Sequence, residues 1–126
     1  MVPIVTPSSQ PDASRTVLVD DGVAGQIADV MFALSTPSRV QILVCLMGGQ
    51  RSVGELVEEL GFEQSLVSHQ LRVLREHDLV RAERLGRRRV YALADDDVSA
   101  LLAHAIRRVT VRASPPGGLR AASSRR

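Results

Sequence analysis

A mainly α-helical domain carrying one small β-hairpin, of the α+β class, is the fold the sequence predicts, and three observations predict it. Apolar residues recur at helical spacing in five separate segments between residues 21 and 112. One stretch, Leu79 to Leu93, abandons that spacing for two β-like runs around a glycine. Residues that start and stop helices stand at the joints: Thr36-Pro37, Gly48-Gly49, Ser52, Gly61 and Asp95-Asp96-Asp97.

The length of 126 residues suits a single domain with one modest core. Residues 1–20 mix Pro, Ser, Thr and Asp without period and are expected to form a disordered N-terminal arm. Residues 113–126, with Pro115-Pro116-Gly117-Gly118 and terminal Arg125-Arg126, are expected to form a flexible basic tail that adds nonspecific phosphate attraction. The ordered domain is therefore placed at 21–112. No apolar run has the length of a membrane span, and Met1-Val2-Pro3-Ile4-Val5-Thr6-Pro7 lacks both a charged n-region and an h-region, so a cytoplasmic protein without a membrane partner is expected. The single cysteine, Cys45, excludes an internal disulfide framework and any multi-Cys zinc site, and its position predicts an inert buried thiol.

The first helix is expected from about Gly25, where Ile27, Val30, Met31 and Leu34 follow i, i+3, i+4, i+7. Thr36 as cap and Pro37 at the first helical position start a second, 37–47. Its Val40, Leu43, Val44 and Met47, widened by Ile42 and Leu46, predict burial over most of its surface. Ser52-Val53-Gly54-Glu55 has the form of a capping box opening a helix over 53–60, with Val53, Leu56, Val57 and Leu60 inward. Gly61 then allows a sharp turn into a further helix, 63–77.

That helix divides into two arcs at about 100° per residue. Val67, Leu71 and Leu74, with Leu66 and Val73, form the apolar one; Gln64, Ser65, Ser68, His69, Arg72, Arg75 and Glu76 form the other. Short hydroxyls, an amide and an imidazole followed by arginines are the groups that read base edges and hold phosphates in a DNA major groove. Two short helices joined through a glycine turn make a helix-turn-helix, whose second helix enters the groove N-terminal end first, where Gln64, Ser65, Ser68 and His69 lie. Leu79–Arg84 and Arg88–Leu93 then bracket Leu85-Gly86-Arg87 as a hairpin, its tip carrying Arg87, Arg88 and Arg89. A basic hairpin in that place is a wing, positioned to follow the DNA backbone or enter the adjacent minor groove.

Charge agrees with this assignment. Every one of the 16 basic residues is arginine, and the net charge of +2 conceals an asymmetry. Residues 1–63 hold three arginines against eight acids, whereas residues 64–91 hold seven against three and residues 92–126 six against three. Basic charge begins where the reading helix begins, which points to an anionic partner, nucleic acid before membrane because no amphipathic anchor accompanies it, and with the helix-turn-helix to double-stranded DNA. No catalytic constellation accompanies it, since nothing orients a Ser/His pair or supplies an oxyanion hole; the chain is not expected to be an enzyme. In the last helix, opened by three aspartates, Val98, Leu101, Leu102, Ala105, Ile106 and Val109 form a broad apolar stripe. The first and last helices are expected to present apolar faces to a second copy, whose two-fold symmetry sets two reading helices about one DNA turn apart.

The order helix, helix, helix-turn-helix, wing, helix resembles the ArsR/SmtB family of winged helix-turn-helix repressors. The resemblance rests on Ala33-Leu34-Ser35-Thr36-Pro37-Ser38-Arg39, Ser65-Leu66-Val67-Ser68-His69-Gln70-Leu71 and Gly86-Arg87-Arg88-Arg89-Val90-Tyr91, and runs from about 22 to 111. Within the family the chain is most similar to the nickel/cobalt- and zinc-sensing branch. The resemblance implies a homodimer formed by the first and last helices that represses transcription from a palindromic operator and is released by an effector. It also implies that Gln64, Ser65, Ser68 and His69 read the groove while Arg72, Arg87, Arg88 and Arg89 hold phosphates. The metal sites of the family carry over badly. Where one site has Cys-x-Cys, this chain has Leu56-Val57-Glu58. Where another has Asp-x-His followed by His-x-x-His or Glu, it has Asp95-x-Asp97, then Arg108 and Val111, neither of which ligates. Asp95, Asp97 and His104 are the alternative ligand set of a degenerate metal-responsive site, but the expectation is no metal cofactor, with Arg108 of one subunit paired instead to Asp95 and Asp97 of the other. A winged-helix module that binds protein is the alternative from another functional class.

Overall fold

Among residues 18–113, those described by the computed structural model, five helices and three short strands follow one another. They are α1 (Asp21–Ala33), α2 (Pro37–Met47), β1 (Arg51–Ser52), α3 (Val53–Leu60), α4 (Gln64–Glu76), β2 (Val80–Leu85), β3 (Arg88–Leu93) and α5 (Asp96–Ala113). All but the last three residues of the expected N-terminal arm, and all but Ala113 of the expected tail, lie outside the described residues.

α1 begins four residues earlier than its apolar spacing suggests. Asp20 caps it, accepting from the Val23 N–H at 2.8 Å, so the polar first turn is held by a cap and not by packing. Thr36 occupies the N-cap position of α2 with extended backbone, yet its hydroxyl makes no capping bond; Pro37 alone meets the expectation at that joint. The buried face of α2 also differs from the one expected. It consists of Arg39, Ile42, Leu43 and Leu46, while Val40 and Met47 are only partly covered and Val44 is exposed. That set is itself an i, i+3, i+4, i+7 stripe, with an arginine in its first place.

The capping box at Ser52 forms in full. Glu55 N–H donates to Ser52 Oγ at 3.1 Å and Ser52 N–H donates to Glu55 Oε1 at 2.9 Å. Gly61 ends α3 in the left-handed region at φ 74°, its N–H donating to the Val57 carbonyl, and this turns the chain sharply into α4. Asp78, at φ 58°, makes the corresponding turn from α4 into β2, a conformation that short polar side chains tolerate.

The hairpin closes as expected around Gly86, at φ 63°, with Leu85 opposite Arg88 and a two-residue turn between them. A third strand joins it: β1 pairs antiparallel with β3, Arg51 opposite Tyr91, giving the order β1-β3-β2. Two residues are too few to show a period-two pattern, so β1 has no signal of its own in the sequence. Its pairing ties the entry of α3 to the root of the wing.

Ile42, Leu43 and Leu46 of α2, Leu56 of α3, and Val67, Leu71 and Leu74 of α4 fill the core. Leu79, Val80 and Tyr91 close it from the sheet side, and Ala33, Val98 and Leu102 from the first and last helices. Beyond Leu102, α5 leaves this core, and Ala105, Ile106 and Val109 are exposed. No single helix among the described residues is long and apolar enough to cross a membrane.

Candidate nucleic-acid interface

α4 is held along one side only. Val67, Leu71 and Leu74 are buried, and the residue that completes this face is Gln70, 6% exposed; Leu66, expected on the apolar arc, is exposed instead. On the opposite side Gln64, Ser65, Ser68, His69, Arg72 and Arg75 all reach solvent. Packing against α2 and α3 therefore fixes the helix while leaving hydroxyls, amide, imidazole and guanidinium groups on one free surface. Those are donor and acceptor types suited to base edges and phosphates.

A buried polar hub fixes how α4 is presented. Arg39, 8% exposed, donates through Nε to the Ala33 carbonyl at 2.7 Å and through Nη2 to the Phe32 carbonyl at 3.2 Å. Its Nη1 donates to Gln70 Oε1 at 3.0 Å, and Gln70 Nε2 donates to Ser38 Oγ at 2.9 Å. The guanidinium also lies 5.8 Å from the Phe32 ring centroid. One cation thus satisfies carbonyls at the C-terminal end of α1, where positive charge suits the helix dipole, and grips the middle of α4. Sequence reasoning did not assign this pair. The detectable signal was Arg39 standing at the head of the 39, 42, 43, 46 stripe, where an apolar residue belongs.

The wing arginines do not act as one block. Arg87, Arg88 and Arg89 are all exposed, but alternation along β3 sends neighbours to opposite faces. Arg88 Nη2 pairs with Glu55 Oε1 at 2.8 Å, joining the wing to the cap of α3. Arg89 lies over Tyr91, 5.5 Å from its ring centroid. Glu55 has its pKa lowered, first by the Ser52 backbone N–H and then by the charge of Arg88. Arg81 pairs with Glu83 at 3.0 Å near the base of the wing.

The residues weighed as metal ligands do not meet within one chain. Asp97 and His104 stand seven residues apart on α5, about 10 Å along its axis at 1.5 Å per residue. Asp95 Oδ1 is occupied as the cap of α5, accepting from the Val98 N–H at 3.1 Å. His104 shares a shallow groove with Arg107, Arg108, Val111 and Arg112, a cationic surface. Among the described residues no three His, Cys, Asp or Glu side chains gather as a metal site. Cys45 is half-buried instead of fully buried, since it lies beside the exposed Val44 face of α2. Its thiol donates to Glu59 Oε1 at 3.2 Å, and Glu59 also pairs with Arg51 at 2.9 Å. Burial and the Glu59 carboxylate push the thiol pKa up, away from the thiolate form that reactive cysteines use.

The HTH-type transcriptional regulator NmtR of Mycobacterium tuberculosis is 50% identical to this chain over 88 residues, 70% of this chain and 73% of that protein. The chain belongs to the arsR family of bacterial regulatory proteins. The family's own profile, described as "Bacterial regulatory protein, arsR family", matches residues 36–82, from the start of α2 into β2. The "Transcriptional repressor SmtB homolog" of Synechocystis is 40% identical over 78 residues, 62% of this chain and 59% of that protein. Among solved structures, the solution structure of apo-NmtR superposes with a TM-score of 0.65 at 41% identity, covering 88% of this chain and 91% of that one. A Mycobacterium bovis domain described as a homodimeric winged helix-turn-helix DNA-binding domain superposes at 0.73 with 28% identity, covering 83% and 100%. As an ArsR-family member the chain is a transcriptional regulator, not an enzyme, and its fold is the winged helix-turn-helix.

Proposed function

We propose that this ArsR-family protein is a homodimeric transcriptional repressor acting in the cytoplasm, which reads a palindromic operator with α4. The observation that carries the reading is the free surface of α4, where Gln64, Ser65, Ser68 and His69 crowd the N-terminal half and Arg72 follows them. In a helix-turn-helix that half enters the major groove. Gln64, Ser65, Ser68 and His69 read base edges, and Arg72, Arg87, Arg88 and Arg89 hold phosphates. The bond of Arg88 to Glu55 uses Nη2 alone and leaves the rest of its exposed guanidinium free to donate.

Dimerisation is supported by two apolar faces that a single chain leaves in water. Ile27 and Met31 of α1 are 46% and 49% exposed, and Val109 of α5 is 66% exposed. A two-fold axis between such faces would relate the two α4 helices symmetrically, as the two halves of a palindrome are related.

Fluorescence anisotropy with the DNA upstream of the protein's own gene tests the reading. Ser68→Ala and His69→Ala are each expected to weaken operator binding by about 1–3 kcal/mol and to narrow the margin over an unrelated duplex. Equal loss on operator and unrelated DNA would remove base reading from these residues. Absence of binding to any duplex would leave a winged-helix module for docking protein.

A further inference from the structure

We infer a phosphate seat between α4 and the wing, built from Arg75, Arg84 and Arg89, which grips one backbone phosphodiester of duplex DNA. The inference rests on α4 being the DNA-reading helix, and it assigns a second, sequence-independent anchor beside that helix.

Strand register brings the three side chains together. Arg84 stands directly opposite Arg89 across β2 and β3. On the same face, two residues nearer the core, Ala82 stands opposite Tyr91, and beyond that Val80 stands opposite Leu93. Val80 and Tyr91 are buried, so this face points toward the body of the protein and its outer end extends past the core beside α4. Arg75, in the last turn of α4, meets it there. Arg75, Ala82, Glu83, Arg84 and Arg89 line one open groove of about 270 Å³.

The charges in this groove are not balanced internally. Like charges directly opposite one another on a strand pair destabilise the pair, yet Arg84 and Arg89 occupy those positions. The ion pairs among the described residues are Arg51–Glu59, Arg81–Glu83 and Arg88–Glu55, so none of the three groove arginines has a carboxylate partner. Glu83, the one acid lining the groove, is held by Arg81 at 3.0 Å. The Tyr91 ring, 5.5 Å beneath the Arg89 guanidinium, keeps that side chain laid along the face. Three forks lining one groove with no carboxylate paired to them match the planar, bidentate way guanidinium groups bind phosphate. A phosphodiester entering the groove relieves the repulsion that the free protein carries, and it adds counterion release from the DNA. A protein ligand for this groove would need an acidic residue at a matching place; a DNA backbone running past α4 offers its phosphates without sequence requirement.

The test compares Arg84→Gln, Arg89→Gln and Arg75→Gln with Arg51→Gln as a remote loss of one arginine, each in the full chain, on operator and on an unrelated duplex across a salt series. Each groove variant is expected to lose about tenfold in affinity on both duplexes alike, and to reduce the slope of log K against log salt by less than one, because the two remaining arginines still meet the shared phosphate. Because a single phosphate is shared, Arg84→Gln combined with Arg89→Gln is expected to bring the slope loss to at most about one, the value of one phosphate. The Arg51→Gln slope stays at the wild-type value. Thermal melting checks each fold; should Arg89→Gln fail it through loss of the Tyr91 stack, Arg84→Gln, exposed and partnerless, decides the matter. In a parallel NMR titration with the unrelated duplex, the Nε–Hε signals of Arg75, Arg84 and Arg89 are expected to move together. Wild-type protein that binds DNA while all three variants keep its affinity and slope overturns the seat and leaves the α4 reading standing. A wild-type chain that binds no duplex overturns both. A change of sequence preference in Arg84→Gln would make the groove a base reader and overturn the phosphate assignment.

Discussion

Arg39 and Gln70 are the residues on which the presentation of α4 turns. Gln70 sits between His69, which faces solvent, and Leu71, which faces the core, and it is buried because its amide is matched at both ends. Replacing it by leucine roughly keeps the volume and removes both of its hydrogen bonds, to Arg39 and to Ser38. Arg39 Nη1 then loses its acceptor in a buried place, so Gln70→Leu is expected to cost about 1–3 kcal/mol, read from the urea midpoint. Combining it with Arg39→Met is expected to cost less than the two single changes added together, because the second change removes the group the first left unsatisfied. The same logic separates the arginines of the wing. Adjacent in sequence, Arg88 and Arg89 are assigned different work by strand alternation, one bound to Glu55 and one laid on Tyr91.

Helix caps and strand pairs, taken together, make the helix-turn-helix and the wing one rigid unit. Glu55 belongs to two of these joints: it closes the capping box of α3 and receives Arg88 from β3. Its carboxyl titrates below the ordinary value of 4.5, through the Ser52 N–H first and the charge of Arg88 second. A carboxylate whose pKa is depressed by folding stabilises the folded state above its ordinary value, and that contribution fades as pH falls through the depressed one. Urea unfolding followed from pH 7 down to about 3 is therefore expected to show Glu55→Gln less stable than wild type at neutral pH, with the difference closing only below the ordinary glutamate range. A gap that stays constant to the lowest pH would mean the carboxylate charge contributes nothing. Most of these elements were legible beforehand. The capping box, the Gly61 turn, the Gly86 turn and the helices 37–47 and 53–60 all follow from local chemistry, and each formed where that chemistry placed it. The start of α1 was missed because Asp20 caps a turn with no apolar residue to announce it, and β1 because two residues carry no period.

In the molecule as a whole, the core is complete around α2, α3, α4 and the sheet, whereas α1 and the outer half of α5 contribute little to it. Their exposed apolar residues are the mark of an assembly. Val109→Glu places a charge on the most exposed of the large apolar side chains of α5 and is expected to leave the melting of the monomeric fold nearly unchanged while shifting sedimentation from dimer to monomer. Operator affinity should fall with it, because two half-sites are then bound separately. A dimer persisting in Val109→Glu at micromolar concentration would put the interface elsewhere.

Periodicity and caps are properties of neighbouring residues, which is why the five helices, the hairpin and the solvent-facing arc of α4 could be derived from the order of the amino acids. Gln64, Ser65, Ser68 and His69 reach solvent because their positions on a helical wheel are fixed once the helix exists. Contacts between residues far apart in the chain obey no such local rule. That Gln70 would be drawn inward by an arginine 31 positions away, and that Arg88 would meet Glu55, depended on how α2, α3 and the wing pack. So did the meeting of Arg75 with Arg84 and Arg89. The reading surface of α4 was visible in the sequence; how it is gripped, and what stands beside it, came from the fold.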